Sequence, residues 1–186
     1  NHIAKTLILV TAMGVMFTVS QDVIAIQQIP GEVMDEDVLA NMTLEEKVAQ
    51  MFFITPEALT GADLVTEAGS WTETAFSEYP VGGLIYFEEN MESREQLSAM
   101  LMRMQNIREE QIGIPVFLAA DEEGGSVSRL YGGTITDIPY VGDMYSVGES
   151  GDKNEAYQAG RTIGSYMKEL NFNVDFAPVA DVFSNP

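Results

Sequence analysis

The stretch Val116-Phe117-Leu118-Ala119-Ala120-Asp121-Glu122-Glu123-Gly124-Gly125 decides how the chain reads. A run that is apolar at every position, entered from Pro115, passes without a break into three acidic residues and a glycine pair. A strand with one wet face alternates apolar and polar residues. A continuously apolar strand is covered on both faces, as in a parallel sheet flanked by helices. Three other runs are mainly apolar: residues 51–54, closed by Pro56; residues 81–87, entered through a Gly82-Gly83 turn; and residues 174–180, interrupted by Asp175 and closed by Asp181.

Helix signals lie between these runs. Thr43-Leu44-Glu45-Glu46 is a capping box, in which hydroxyl and carboxylate satisfy backbone donors at a helix start. Ser93 with Gln96 opens a second helix, whose Leu97, Met100, Leu101, Met104 and Ile107 recur at spacings of three and four, and Gly113 ends it. Asp152 with Glu155 opens a third, carrying Ala156, Ala159, Ile163, Met167 and Leu170. Strand and helix alternate, so the fold class is α/β, built of parallel βα units. No internal repeat or low-complexity tract appears.

Upstream, residues 6–19 form an apolar run behind Lys5 that is shorter than the roughly 20 residues a membrane span needs. Residues 1–26 therefore read as a signal-like or anchor-like segment, and residues 27–37 as a polar linker containing Pro and Gly. Any membrane contact would run through that segment alone if it is uncleaved, and the expected location is secreted or cell-surface.

The 186 residues are 46% hydrophobic and 20% charged, a globular composition. With 29 acidic against 9 basic residues and a net charge of −20, the surface repels nucleic acid and anionic lipid. Cysteine is absent, which removes disulfides, zinc–thiolate sites and thiol nucleophiles. The one histidine is His2, at the extreme N-terminus. Dinucleotide, Walker, nucleophile-elbow and zinc-helix motifs are all missing, so the residues call for no cofactor and no metal.

In parallel βα architectures ligands bind beyond the carboxyl ends of the strands. Asp121 follows the third strand and Asp181 the fourth. Each either caps the turn that follows or supplies a carboxylate to a ligand, as a hydrogen-bond acceptor for hydroxyls or as acid, base or nucleophile. Glu122 and Glu123 read as loop-capping groups, and Gly124 and Gly125 as a sharp turn or a close approach of backbone. Arg129 reaches a carboxylate of the same loop, as a structural clamp in preference to a ligand contact. Trp71, the single tryptophan, reads as packing rather than as a sugar platform.

Four stretches together resemble the N-terminal half of glycoside hydrolase family 3, in its β-N-acetylhexosaminidase branch. They are residues 42–51, residues 81–87, Asp121-Glu122-Glu123-Gly124-Gly125-Ser126-Val127-Ser128-Arg129 and residues 173–182. The resemblance covers residues 38–186 and implies the first half of a (β/α)₈ TIM-type barrel. It also implies a retaining exo-enzyme that releases terminal β-linked N-acetylglucosamine from glycans or cell-wall (peptidoglycan) fragments. By the same resemblance Asp121 hydrogen-bonds the sugar hydroxyls, while Glu123, Gly124, Gly125, Arg129 and Asp181 organise the loops. The loop 122–125 disfavours a β-glucosidase or xylosidase of the same family. Family members continue beyond this point with a Lys-His pair, a His-Asp acid/base loop and an Asp nucleophile. None of these is found here, so no catalytic residue is assigned and the chain by itself is expected to be inactive. The alternative from another class is a non-catalytic half-barrel module that binds sugar or self-associates through its open sheet edges.

Overall fold

The computed structural model describes residues 36–181, so the apolar segment, His2 and most of the linker lie outside the described residues. A short helix, α1 (Glu36–Asn41), belongs to a first unit that ends at Asn41, and the described residues from Met42 onward cluster as a second. Within the second unit the chain runs α2 (Leu44–Ala49), β1 (Phe53–Ile54), α3 (Pro56–Thr60), α4 (Ser70–Glu78), β2 (Gly83–Ile85), α5 (Arg94–Ile112), β3 (Phe117–Ala120), α6 (Met144–Glu149), α7 (Lys153–Glu169) and β4 (Val174–Asp175).

The four strands pair in parallel in the order β1-β2-β3-β4, with Phe53 opposite Gly83, Gly83 opposite Phe117, and Ala119 opposite Val174. Sequential parallel neighbours joined by helical connections are the first half of a TIM-type barrel. Gly82 and Gly83 are not a turn before β2, as the sequence reading has them. Gly83 lies within the strand, and a Cβ on Gly82 would stand 2.0 Å from the Gln50 carbonyl oxygen, so Gly82 lets the entry to β2 and the end of α2 come together.

Strands are shorter than the apolar runs for local reasons. Pro56 does not close β1 as a breaker; it occupies the first turn of α3, which Thr55 caps by accepting from the Ala58 amide at 3.1 Å. At the far end of β2, the Asn90 side chain takes the Phe87 amide at 2.9 Å and turns the chain into a 3₁₀ turn. After β4 the ladder ends with the Phe176 amide on the Ala120 carbonyl at 3.0 Å, and Pro178 offers no further donor.

Each expected N-cap residue caps its helix, although Asp152 does so by accepting from the Asn154 amide at 2.8 Å and not in a box with Glu155. Thr43 and Glu46 make a reciprocal box, Ser93 accepts from the Gln96 amide at 3.1 Å, and Gly113 ends α5 at φ 67°. Helix α5 buries Leu97, Met100, Leu101, Met104 and Ile107 against Leu84, Tyr86, Leu118 and Ala120 of the sheet. Arg108 is buried with them. It donates to the Val81 carbonyl, lies 5.2 Å from the Phe76 ring centroid, and is pushed down to about 10 by that burial.

Candidate active site

Side chains alternate along β3, so the two acidic residues that follow it point to opposite sides. Asp121 lies partly open on the side of Phe117, where Nη2 of Arg129 donates to its Oδ2 at 3.1 Å. The same guanidinium lies 5.2 Å from the Phe87 ring centroid, a cation–π contact that holds it against the loop after β2. A carboxylate accepts about four hydrogen bonds, and the arginine engages only one oxygen. Asp121 thus keeps capacity for hydroxyl donors while its charge is partly balanced.

Glu122 turns the other way and is completely buried. Its carboxylate accepts from the amides of Arg129 and Leu130 at 2.8 and 3.1 Å, from the Tyr166 hydroxyl at 2.7 Å, and from the Ser128 hydroxyl. These donors fold residues 122–130 into a closed loop and deliver Arg129 to Asp121. Burial, with the hydrogen bond to Glu122, raises the Tyr166 phenol well above its usual range, so it stays a neutral donor.

Asp175, at the end of β4, accepts the Glu122 amide at 3.0 Å. Burial first pushes it up; the Glu122 amide opposes this, and the negative charges of Glu122, Asp121 and Glu123 add to it, leaving it at about 6. Sequence reasoning missed the roles of Asp175 and Tyr166 and gave Glu122 only a local capping one. The signal for Asp175 was its charge inside an otherwise apolar run. Tyr166 fits the stripe of α7, one residue before Met167.

The glycine pair is required twice over. Gly124 has φ 81° and Gly125 φ 60°, conformations that favour glycine. A Cβ would also meet the Gly142 carbonyl oxygen at 2.7 Å or Asp143 Cβ at 2.6 Å. Gly125 donates to the Val141 carbonyl at 3.0 Å and Glu123 to the Val127 carbonyl at 3.0 Å. Asp143 caps α6 through the Ser146 amide and hydroxyl, which hold its carboxyl below the usual range.

Next to this turn an open cleft of about 380 Å³ is lined by Glu123, Gly124, Asp143, Tyr145, Val179 and Asp181. Asp181 lies in the loop past β4 rather than at the strand end, a place taken by Asp175 because the strand stops there. The fold therefore joins Asp121 with Arg129 through an ion pair, and sets Glu123 and Asp181 on the lining of one cleft without a bond between them. Trp71 does not pack into the core; it is 74% exposed, because on α4 its neighbour Thr72 and then Phe76 take the buried side.

A profile of the glycosyl hydrolase family 3 N-terminal domain matches residues 43–186. The chain is 35% identical over 114 residues to "Beta-hexosaminidase A" of Pseudoalteromonas piscicida, covering 59% of this chain and 19% of that protein. It is 34% identical over 110 residues to an "Uncharacterized secreted glycosyl hydrolase" of Arthroderma benhamiae, covering 58% and 29%. Among solved structures, a family 3 β-N-acetylglucosaminidase from a Paenibacillus species superposes with a TM-score of 0.63 at 31% identity, covering 74% of this chain and 24% of that one. The chain thus spans less than a third of the length of each of these proteins. With the matched residues running from the capping box of α2 through all four strands, the chain belongs to glycosyl hydrolase family 3, whose N-terminal domain it carries.

Proposed function

We propose that residues 38–186 are the N-terminal half of the catalytic barrel of a retaining exo-glycosidase that removes terminal β-linked N-acetylglucosamine. The observation that carries this reading is the Asp121–Arg129 pair at the strand end, held by the buried Glu122, in a chain similar to named hexosaminidases. Asp121 accepts hydroxyls of the terminal sugar. Glu123, Gly124, Gly125 and Asp181 shape the neighbouring loops. The nucleophile and acid/base come from elsewhere in the whole protein, and the 186-residue chain alone does not turn over. Secretion is supported by the apolar segment at residues 6–19 and by the similarity to a secreted hydrolase. The sugar would then come from extracellular glycans or peptidoglycan fragments.

The test is the whole protein on chromogenic glycosides. Turnover of the N-acetylglucosaminide in preference to the glucoside and xyloside is expected, and the reverse order would contradict the branch. A second reading is favoured by the exposed Phe53, Phe117 and Phe176: two copies of the 186-residue chain cover each other's open edges at β1 and β4. Sedimentation of that chain as a monomer at micromolar concentration would contradict it.

A further inference from the structure

We propose that the cleft beside Trp71 binds a saccharide chain, with the indole stacked on one face of a sugar ring. This cleft, of about 430 Å³, shares no lining residue with the one beside Asp181. Among the described residues Trp71, 74% exposed, is the largest aromatic side chain presented to solvent, and an exposed indole is a surface that gains by being covered.

The cleft is built before any ligand arrives. Its floor residue Val65 is fixed at both backbone groups, the amide by Glu57 Oε1 at 2.9 Å and the carbonyl by Asn90 Nδ2 at 3.0 Å. Gln96 holds the Thr66 carbonyl from α5. Thr72 accepts the Gly69 amide at 3.3 Å and sets the start of α4, which places the indole. A wall fixed in this way lowers the ordering cost of binding.

The groups left over define the ligand. The Thr66 and Ser70 hydroxyls and the Glu67 carboxylate line the cleft and bond to no other side chain or backbone group among the described residues. Hydroxyls that donate and accept, a carboxylate that accepts, and a flat apolar platform match a ring with a C–H face and hydroxyls around its edge. No cationic residue lines the cleft, and the chain carries a net charge of −20. Phosphorylated or sulfated ligands would meet repulsion without a counter-charge.

Topology puts the cleft where a chain-like substrate could run. It forms in the β1-to-α4 connection, beyond the carboxyl end of β1, and Asn90 ties it to the loop beyond β2. Asp121 lies beyond the same end of β3. The choice of a β-linked N-acetylglucosamine chain as the probe rests on the hexosaminidase reading; the saccharide class rests on the cleft itself.

Trp71 is the only tryptophan, so its own emission reports the site. The 186-residue chain, checked as folded by circular dichroism, is titrated with the β-1,4-linked N-acetylglucosamine tetramer. A saturable blue shift of the emission is expected, unchanged in Asp121→Ala. Calorimetry on Trp71→Ala should show affinity lower by about tenfold or more, as loss of a stacked aromatic contact implies. Glu67→Gln and Thr66→Val, which keep the reporter, should weaken the response.

The proposal is overturned if the folded chain shows no saturable response at millimolar tetramer. It is equally overturned if Trp71→Ala binds as the parent does, if Asp121→Ala abolishes the shift, or if tetramethylammonium shifts the emission and the sugar does not. A whole protein that hydrolyses no hexosaminide while the chain still shows the tetramer shift would break the hexosaminidase reading and leave this site standing.

Discussion

Phe117 and Leu118 are neighbours on β3, yet Phe117 is 53% exposed and Leu118 is fully buried. The contrast runs across the whole sheet. Leu84, Tyr86, Leu118 and Ala120 face the helices and form one core with α5 and α7. On the other side Phe53 and Phe176 are 37% and 42% exposed. Phe53 meets Phe117 at 5.8 Å and Phe176 at 5.2 Å between ring centroids. A Cβ on Gly83 would stand 2.3 Å from the Phe53 ring, so the glycine makes room for that cluster. An all-apolar strand signals cover on both faces; among the described residues the helix side is closed, and the other is closed at Gly83 and Ala119 but open at its phenylalanines. The acidic pair repeats the pattern, with Glu122 on the buried side and Asp121 on the open one.

The difference is open to direct attack. Glu122→Ala takes the acceptor from four donors. By removing one partner of a buried network it should cost about 3–5 kcal/mol in urea unfolding. Asp121→Ala, on the open side, should cost about 1 kcal/mol or less. Equal losses would mean that the loop is not held from the helix side.

Among the apolar residues, Leu118→Ala should destabilise by about 2–5 kcal/mol. Phe117→Ala should stay near 1 kcal/mol, the scale of one aromatic contact at a half-exposed site. Reversed magnitudes would show the open face to be the better-packed one.

A pH-dependent effect concerns Asp175, which holds the Glu122 amide from the end of β4. Its carboxyl sits at about 6 in the folded chain, above the roughly 3.9 of an unfolded aspartate. The folded state therefore binds the proton more tightly. The contribution is fully present below about pH 4 and is lost as pH rises through about 6. Chemical denaturation across this window should show that slope. Asp175→Asn, which keeps an oxygen for the Glu122 amide, should flatten it, and an unchanged slope would assign the pH dependence to other groups.

The strand order and the helix caps were legible because each rests on a local signal, an apolar run or a hydroxyl before an acidic residue. Asp121 and the glycine pair were legible from their place after an apolar run. What escaped depends on the third dimension. Nothing adjacent in sequence tells that Tyr166 and Glu122 meet, or that Asp175 rather than Asp181 ends β4. Trp71 was misread as packing because only the register of α4 puts it outward. The helices α3 and α4 were hidden by Pro56 and by a stretch with few apolar positions.

The most direct measurement is the activity of the whole protein carrying Asp121→Ala on a chromogenic β-N-acetylglucosaminide. If Asp121 holds sugar hydroxyls, kcat/KM should fall about ten- to a hundred-fold, the range of a charge-assisted hydrogen bond, while the melting temperature stays near that of the parent. Parental kcat/KM with unchanged inhibitor affinity would make Asp121 a partner of Arg129 only, and would contradict the strand-end pair as a sugar site.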